Sequence, residues 1–346
     1  MGEMYDKFCS FTNLYEAYRK ARKGKRGKAS VAGFEYNQEE ELIQLQTELV
    51  SKTWQPGDYT NFYIHEPKKR LISAAPFRDR VVHHALCNLL EPDWERRFTF
   101  DTYANRKNKG THRAILRASQ FARKYKYVLQ CDVEQFFPSI DHAILREKIA
   151  AHVDDASVLE IVDLILRSGV RAQTESYQMK WFAGDDLFSA SRPRGLPIGN
   201  LTSQFWGNVY LSAFDHFVKR ELRVDGYLRY VDDFLLFGND KEILHAWKEK
   251  ILNRVEKLKM TLHEPQIYPV ETGVPFLGFR IFPSYRRLKK KRGIAFQRRF
   301  RYLYQQWAGL RIERKKLDDS ARSWSAHAAW GDTYGLRRSV LGRYML

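Results

Sequence analysis

The sequence has few cysteines, no long apolar run and a shortage of acidic side chains. Its three cysteines, Cys9, Cys87 and Cys131, form no CxxC pair, which argues against a disulfide framework and a zinc ribbon. No apolar stretch reaches the ~20 residues that a membrane span needs. The first residues, with Asp6 and Lys7, lack the apolar core of a signal peptide. We therefore expect a cytoplasmic protein without a membrane partner.

The shortage of acids leaves the chain strongly basic. Lysine and arginine number 59 against 41 acids, which gives a formal charge of +18 and a pI near 9.7. Such an excess favours nucleic acid or another anionic surface as the partner. With 346 residues, 44% of them hydrophobic, the chain can form two or three subdomains around a shared cleft.

Two apolar runs flank a pair of adjacent acids at residues 227–237, Tyr-Leu-Arg-Tyr-Val-Asp-Asp-Phe-Leu-Leu-Phe. Apolar runs favour strands, and Asp232-Asp233 between them favours a tight turn. Another predicted strand, 125–132, ends in Asp132. If the strands are neighbours, three carboxylates meet at one sheet edge and offer the oxygen ligands that Mg²⁺ prefers. An ordinary acidic hairpin turn is the alternative reading of this segment.

The remaining pattern predicts alternating helices and strands. Apolar residues at helical spacing predict helices over 11–22, 38–52 (with Asn37 as its cap), 78–92, 112–124, from about Pro138, 157–167, from Thr202 and over 241–258. Strand composition predicts a hairpin from 59–65 and 71–73 around a turn at Pro67-Lys68-Lys69-Arg70, and an apolar stretch at 274–282. Residues 170–192 read as an irregular insertion, and 285–346 as a basic helical segment.

The order of these motifs resembles that of reverse transcriptases over nearly the whole chain. It runs from Asp132 through Gly-Leu-Pro-Ile-Gly-Asn (195–200) and Tyr-Val-Asp-Asp (230–233) to Phe-Leu-Gly-Phe (276–279). The segments Ile-Gly-Asn-Leu-Thr-Ser-Gln (198–204) and Trp-Ser-Ala-His-Ala-Ala-Trp (324–330) further resemble the reverse transcriptases of diversity-generating retroelements. The resemblance implies a prokaryotic or phage-encoded protein.

The resemblance also implies an α+β fold of the right-hand polymerase type, with fingers, a ferredoxin-like palm and a helical thumb. The implied division is an N-terminal helical extension (1–58), fingers (59–124), first palm part (125–143), fingers/palm insertion (144–194), second palm part (195–284) and basic thumb (285–346).

Two-metal nucleotidyl transfer is the chemistry that the resemblance implies. Asp132 and Asp232 would hold two Mg²⁺ ions, for which Mn²⁺ is a possible substitute, with the Val133 carbonyl as a further ligand and Asp233 in support. The ions would activate the primer 3′-hydroxyl and neutralise the pyrophosphate oxygens.

Further residues are expected around the incoming nucleotide. Phe137 would lie under its sugar and exclude a 2′-hydroxyl, with core packing as the alternative because Phe136 is adjacent. Ile198 and Gly199 would lie beside the nascent base pair. Cationic side chains would grip the triphosphate. Lys69, Arg70 and Arg80 are the candidates, drawn from a set that also contains Lys68 and Arg78 and that includes solvated or template-facing residues.

The primer–template duplex has two expected binding segments. Phe276, Leu277 and Gly278 resemble a primer grip, and a bulged hydrophobic strand is the alternative. A basic cluster would track the nucleic-acid backbone, unless it is only a solvated face. Its members are Arg286, Arg287, Lys289, Lys290, Lys291, Arg298 and Arg299.

Two departures from the wider family bear on function. Most reverse transcriptases carry glutamine where this chain has Ile198, and an apolar side chain cannot make the same hydrogen bonds near the base pair. We therefore expect low fidelity. Gln266 stands where the family often has a lysine that protonates pyrophosphate, and His263 is either its substitute or structural.

The leading hypothesis is an error-prone RNA-directed DNA polymerase that copies a template-repeat RNA into mutagenised cDNA. Its expected partners are template RNA, DNA primer, deoxynucleoside triphosphates, a structured RNA and a small basic accessory protein. The alternative is a stand-alone prokaryotic reverse transcriptase of another group, such as phage-defence, retron-like or group II intron-like enzymes. A nucleic-acid-binding protein with an inactive polymerase fold and a metal-dependent nuclease are the hypotheses from other classes.

Overall fold

The computed structural model describes residues 2–65, 69–172 and 177–344, which divide into two compact units. The first unit comprises Met1–Phe100, Asp132–Arg223 and Glu249–His263, and the second comprises Asp101–Cys131, Val224–Lys248 and Glu264–Leu346. Each unit is therefore assembled from three separate stretches of chain. No helix in the described ranges is both long and apolar enough to cross a membrane.

Helices make up most of the structure. In chain order they are α1 Glu3–Cys9, α2 Phe11–Arg22, α3 Ala29–Tyr36, α4 Gln38–Val50, α5 Phe77–Arg97, α6 Thr111–Lys124, α7 Phe136–Ser139, α8 His142–Ala150, α9 Ala156–Ala172, α10 Leu201–His216, α11 Lys241–Lys257, α12 Lys290–Ala308, α13 Arg314–Ala328 and α14 Tyr334–Leu341. The strands are β1 Thr60–Ile64, β2 Arg70–Ala74, β3 Tyr127–Asp132, β4 Gly226–Tyr230, β5 Asp233–Gly238, β6 Gln266–Pro269, β7 Val274–Phe276, β8 Phe279–Ile281 and β9 Arg286–Leu288.

The first unit is built around α5. Its side chains at Val81, Val82 and Ala85 are fully buried, and α2 and α10 pack against it. The expected helix end at Pro92 is wrong, since α5 continues to Arg97. Burial of the flanking Leu90 and Trp94 outweighs the one backbone hydrogen bond that proline removes.

The second unit contains two antiparallel sheets on a common apolar core. One sheet has the strand order β4-β5-β3-β6, and the other has the order β7-β8-β9. Buried residues of α6, including Ile115 and Phe121, pack with Leu235 of the first sheet and Phe276 of the second. A separate small core joins the three C-terminal helices through Phe296, Phe300, Leu303, Leu317 and Val340.

Most predicted elements are confirmed, with four local differences besides the longer α5. The helix expected from Pro138 is two helices, α7 and α8, and α9 extends into the expected insertion as far as Ala172. The basic segment begins with a strand, β9, because its backbone pairs with β8. Asn37 occupies the N-cap of α4 without a side-chain capping bond. Of the turn expected at 67–70, Pro67 and Lys68 lie outside the described residues.

The aromatic stripe predicted after Thr202 is confirmed in α10. Trp206, Tyr210 and Phe214 are each 0–1% exposed. Phe217, the last member of the stripe, lies in the π-helical turn Phe217–Glu221 that follows the helix. The stripe is therefore core, as its helical spacing indicates.

Candidate active site

The acidic pair lies at the tip of the hairpin formed by β4 and β5. Tyr230 pairs with Asp233, so the two turn residues are Val231 and Asp232, one position earlier than a turn centred on both acids. Val231 has φ +60°, a left-handed conformation that is strained for a β-branched residue. Asp232 and Asp233 are both partly exposed.

A buried arginine supports this strained turn. Arg229 is 1% exposed, and its guanidinium donates to the Val231 carbonyl at 2.8 Å. Its backbone N–H donates to the Asp101 carbonyl at 2.9 Å, and its own carbonyl accepts from the Tyr103 N–H at 3.0 Å. The Asp101 carboxylate is in turn held by Arg117 at 2.8 and 3.0 Å. The backbone leading to the turn is thus fixed on both sides.

Gln130 connects the second acid to a neighbouring strand. Its side-chain amide donates to the Asp233 carboxylate at 3.4 Å and to the Pro275 carbonyl at 3.1 Å, and its oxygen accepts from the Tyr268 hydroxyl at 2.7 Å. Burial, followed by the Asp233 charge, raises the pKa of Tyr268, so this hydroxyl remains a donor. One amide therefore links Asp233 to the chain just before the Phe-Leu-Gly-Phe segment.

Asp132 is the last residue of β3, on the same strand face as Gln130 because side chains two residues apart share a face. Its side chain is 47% exposed, and its carbonyl accepts from the His263 N–H at 2.9 Å. The His263 imidazole lies 3.9 Å from the Asp132 carboxylate and 3.5 Å from that of Glu134. A hydrogen bond from Lys180 lowers the pKa of Glu134, which keeps this second acid charged.

The partly exposed carboxylates of Asp132, Asp232 and Asp233 offer the oxygen ligands that a hard divalent cation such as Mg²⁺ prefers. Within residues 2–65, 69–172 and 177–344, no group of three or more His, Cys, Asp or Glu side chains forms a ready-made metal site. Val133, expected to contribute its carbonyl, has a side chain that is 3% exposed and a backbone bridged to Leu262.

The β1–β2 hairpin carries two of the three expected triphosphate ligands. Arg70 opens β2 and is exposed, whereas the Lys69 ammonium lies 4.3 Å from the centre of the Tyr63 ring. Arg80 is partly buried and donates from Nε to the Ala75 carbonyl at 2.7 Å. Arg78, from the wider set, pairs with Glu48 at 2.7 Å. Arg70 is therefore the most available cation of this group.

The loop at 195–200 is bonded directly to β2. The Ser73 N–H donates to the Ile198 carbonyl at 3.0 Å, and the buried Asn200 amide donates to the Ser73 carbonyl at 2.9 Å. The Asn200 oxygen also accepts from the Ala75 N–H at 3.2 Å. Gly199 has φ +119°, and a Cβ there would lie 2.9 Å from Ile72 Cγ2, so the turn requires glycine. The Ile198 side chain is partly exposed.

The two adjacent phenylalanines have different environments. Phe136 is 3% exposed and belongs to the core, whereas Phe137 is partly exposed. The Phe137 carbonyl accepts from the Leu196 N–H at 2.9 Å, which joins this ring's backbone to the 195–200 loop. Phe137 thus remains the candidate to contact a nucleotide.

The expected primer grip is a second tight hairpin. Phe276 and Phe279 pair and are both fully buried, and the turn residues Leu277 and Gly278 have φ of +44° and +92°. Phe276 is therefore core, and Leu277 is partly buried and packs against the same core. The Gly278 carbonyl accepts from the Lys289 N–H at 2.9 Å.

The basic cluster divides into structural and exposed members. The Arg286 guanidinium donates to the Trp330 carbonyl at 2.6 Å and to the Ser119 hydroxyl at 3.2 Å, and burial lowers its pKa. It therefore anchors the C-terminal helices. Burial also lowers the pKa of Lys289, opposed by the Asp233 charge. The exposed members are Arg287 on β9, Lys289 at the N-cap of α12, and Lys290, Lys291, Arg298 and Arg299 on α12.

Aromatic packing explains the Trp-Ser-Ala-His-Ala-Ala-Trp segment. Trp324 stacks on Phe296 with ring centres 4.1 Å apart, and Trp330 stacks on His112 at 4.3 Å. The His327 ring lies 5.0 Å from that of Phe279. These residues therefore hold α13 against the rest of the second unit.

Three residues of this region escaped the sequence reasoning: Arg229, Gln130 and Asn200. Each is a polar side chain in an otherwise apolar or glycine-containing segment directly beside a motif residue. Such placement is the available signal, since buried polar groups need partners.

Comparison with known proteins assigns the family. A model of the family described as reverse transcriptase (RNA-dependent DNA polymerase) matches residues 64–281. Protein YkfC of Escherichia coli (strain K12) is 24% identical over 297 residues, covering 74% of each chain. The group II intron-encoded protein LtrA of Lactococcus lactis subsp. cremoris is 23% identical over 232 residues, which span 65% of this chain and only 36% of LtrA.

Among solved structures, apo telomerase from Candida tropicalis matches with a TM-score of 0.48 and 13% identity, covering 70% of this chain and 52% of that one. The family match extends over more than half of the sequence and includes the 195–200 loop and the acidic hairpin. The chain belongs to the reverse transcriptase family, the RNA-directed DNA polymerases.

Proposed function

We propose that DNA synthesis takes place at Asp132, Asp232 and Asp233. Reverse transcriptases extend a primer on an RNA template with deoxynucleoside triphosphates and divalent metal ions. In the proposed site, Asp132, Asp232 and the Val133 carbonyl hold the ions, most simply two Mg²⁺, with Mn²⁺ as a substitute, and Asp233 supports them. The position of the partly exposed Asp232 in a turn stabilised by Arg229 is the observation that carries the proposal.

The bound ions would supply Lewis-acid stabilisation of the attacking and leaving oxygens. The protein's part is to fix the carboxylates. Arg229 holds the backbone of the turn, and Gln130 donates to Asp233. Because these groups are set before the substrate arrives, little reorganisation is needed at the moment of reaction.

The nucleotide would be selected by residues of the β1–β2 hairpin and the 195–200 loop. Arg70, with Lys69 and Arg80, would bind the triphosphate, and Phe137 would exclude ribonucleotides. In this proposal residues 59–124 and 144–194 serve as fingers, 125–143 and 195–284 as palm, and 285–346 as thumb, behind the extension 1–58. Leu277 and Gly278, with Phe276 beneath them, would press on the primer end, and the exposed cations of β9 and α12 would follow the backbone.

Low fidelity is the finer part of the proposal. Ile198 is partly exposed in a loop whose position is fixed by Ser73 and Asn200, so an apolar side chain stands where a glutamine would test base pairing. We infer an enzyme of the diversity-generating type, which copies a template-repeat RNA into mutagenised cDNA with a small basic accessory protein and a structured RNA.

Primer extension on a defined RNA template, followed by cDNA sequencing, tests both parts. We expect extension that requires Asp232 and carries errors concentrated opposite template adenines. Ile198→Gln should lower the error frequency, whereas Ile294→Gln on exposed α12 should not. Extension with uniformly accurate cDNA would contradict the low-fidelity proposal, and no extension with cognate RNA and accessory protein would contradict the polymerase site.

A second candidate is a stand-alone reverse transcriptase of another prokaryotic group, in particular one related to group II intron proteins. The similarity to LtrA, and to the nuclear intron maturase 1 of Arabidopsis thaliana at 28% identity over 129 residues, supports it. Accurate copying of long structured RNA would favour this candidate.

A further inference from the structure

A cationic cavity lies at one end of the helical core of the first unit. It has a volume of about 470 Å³ and is lined by Arg96, Arg97, Lys148 and Arg220, with the Ser212 hydroxyl among them. This is within the size range of ligand-binding pockets in proteins. None of these residues belongs to the polymerase motifs.

The cavity is remote from the 195–200 loop along the same helix. Ser212 lies about 17 Å from Leu201 along α10, at 1.5 Å per residue. The loop precedes the first residue of this helix, whereas the cavity is lined by residues near its C-terminal end. It is therefore a separate surface and not an extension of the proposed nucleotide site.

Helix dipoles offset only part of its positive charge. The C-terminal turns of α5, α8 and α10 all contribute to the lining, and each helix end carries about half a negative charge. Asp93 pairs with Arg97 at 2.6 Å and with Arg96 at 3.1 Å. These charges leave the lysine and the third arginine of the lining uncompensated.

Lys148 and Arg220 supply that excess. In the described part of the chain, neither has a carboxylate within 4.0 Å. Burial lowers the pKa of Lys148, as does the charge of Arg254, and Glu147 opposes both effects. Holding a partly buried ammonium beside other cations is costly unless an anion shares the site.

We propose that this cavity binds the phosphodiester backbone of RNA outside the catalytic site. Forked guanidinium groups, an ammonium and a hydroxyl match phosphate oxygens in charge and geometry. Trp94 is 4% exposed, and the His152 ring packs edge-on against it with ring centres 4.9 Å apart. Contacts to phosphate carry no sequence information, so we expect binding there to be independent of sequence. We infer RNA as the bound polyanion because the chain belongs to an RNA-copying family. The inference therefore rests on the proposed function and extends it.

The test compares the double variant Lys148→Gln/Arg220→Gln with a charge-matched control, Arg167→Gln/Lys257→Gln, whose side chains are exposed in the same unit. Affinity for a long unprimed RNA is measured in EDTA over a range of salt. The cavity variant should bind about 10- to 30-fold more weakly near 0.1 M salt, and its log K against log[salt] slope should fall by about 1.4. The control should match the wild type.

Extension of a short primer–template that fills only the catalytic site should be unchanged in the cavity variant. Equal RNA affinity and salt slope in the two double variants would overturn the inference. The inference would also be overturned if a polyglutamate peptide bound the cavity variant more weakly than the wild type while RNA bound both equally. If Asp232→Asn retains extension but RNA affinity still depends on Lys148 and Arg220, the catalytic proposal fails and the cavity proposal stands. Circular dichroism melting verifies that both double variants fold.

Discussion

The second unit contains two hairpins of the same length that differ in how their turns are stabilised. Tyr230 pairs with Asp233 across the first, and Phe276 pairs with Phe279 across the second. The second places Gly278 at φ +92°, as a two-residue turn normally requires. The first places Val231 at φ +60° and then an acid, without any glycine.

The two turns are stabilised by different kinds of interaction. Local turn chemistry stabilises the Leu277-Gly278 turn, whereas Val231-Asp232 depends on a buried guanidinium 2.8 Å from its carbonyl. A left-handed valine costs on the order of 1–3 kcal/mol. Backbone strain of this kind concentrates at functional sites, which agrees with a catalytic role for Asp232.

The largest effect is expected for Asp232→Asn. Removing a carboxylate that we propose as a metal ligand should reduce DNA synthesis by about 10³-fold or more, because metal stabilisation of the transition state is worth several kcal/mol. Single-turnover primer extension measures this. Asp240→Asn removes the same charge at the start of α11, where the side chain accepts from the Glu242 N–H at 2.8 Å, and should retain activity. Equal loss in both variants would contradict the assignment.

Arg229→Gln should weaken both stability and catalysis. Loss of a buried charged donor costs about 2–4 kcal/mol in the free energy of unfolding. The rate of extension should also fall because the turn before Asp232 loses its support. Arg280→Gln on the second hairpin is the counterpart, since this exposed arginine donates to the Thr272 carbonyl at 3.3 Å. Thermal unfolding with kcat and KM measurements compares them, and Arg229→Lys should restore part of the loss.

Gln130→Ala should produce a moderate defect. The residue connects Asp233 to Pro275, so its removal uncouples the two hairpins. Losing hydrogen bonds worth about 1 kcal/mol each predicts a roughly 5- to 10-fold lower kcat. We expect little change in KM for the deoxynucleotide. Gln297→Ala on exposed α12 is the control, and an equal defect there would argue against a positioning role for Gln130.

Replacing the first turn residue by glycine should have the smallest effect, with opposite signs in the two hairpins. Val231→Gly relieves strain and should raise the free energy of unfolding by about 1 kcal/mol. Leu277→Gly also relieves a left-handed conformation, at φ +44°, but it removes a side chain packed on the core, and the net free energy of unfolding should fall by about 1 kcal/mol. Denaturant titration measures the change in the free energy of unfolding for each variant. Stabilisation by Leu277→Gly would contradict the expected difference between the two hairpins.

The sequence predicted the elements that have strong periodicity and the motifs that have a fixed order. It placed the 227–237 hairpin, the α10 stripe and the chain of motifs that the family match includes. It did not predict β9, because a basic tripeptide has no strand signal until β8 pairs with it. It ended α5 at Pro92 because local propensity ignores the burial of Trp94.

Candidate-site residues were predictable where they belong to a sequence motif. They were not predictable where their role depends on contacts with residues distant in the sequence. Arg286 illustrates the limit: the sequence predicts it as one of several nucleic-acid-binding cations, whereas its guanidinium donates to the Trp330 carbonyl at 2.6 Å. Phe276 was expected at a contact surface, but its environment is fully buried. Long-range partners decide both cases, and neither partner is close in the sequence.

Asn200 has a consequence for movement. Its amide and the Ser73–Ile198 backbone bond fasten the 195–200 loop to β2 at Ser73 and Ala75. A hinge motion of the β1–β2 hairpin must therefore carry the loop with it, since sliding one past the other would break several buried hydrogen bonds at once. At the proposed nucleotide site, closure of the hairpin and displacement of Ile198 would then be one movement, and we expect substitutions in β2 to change copying accuracy.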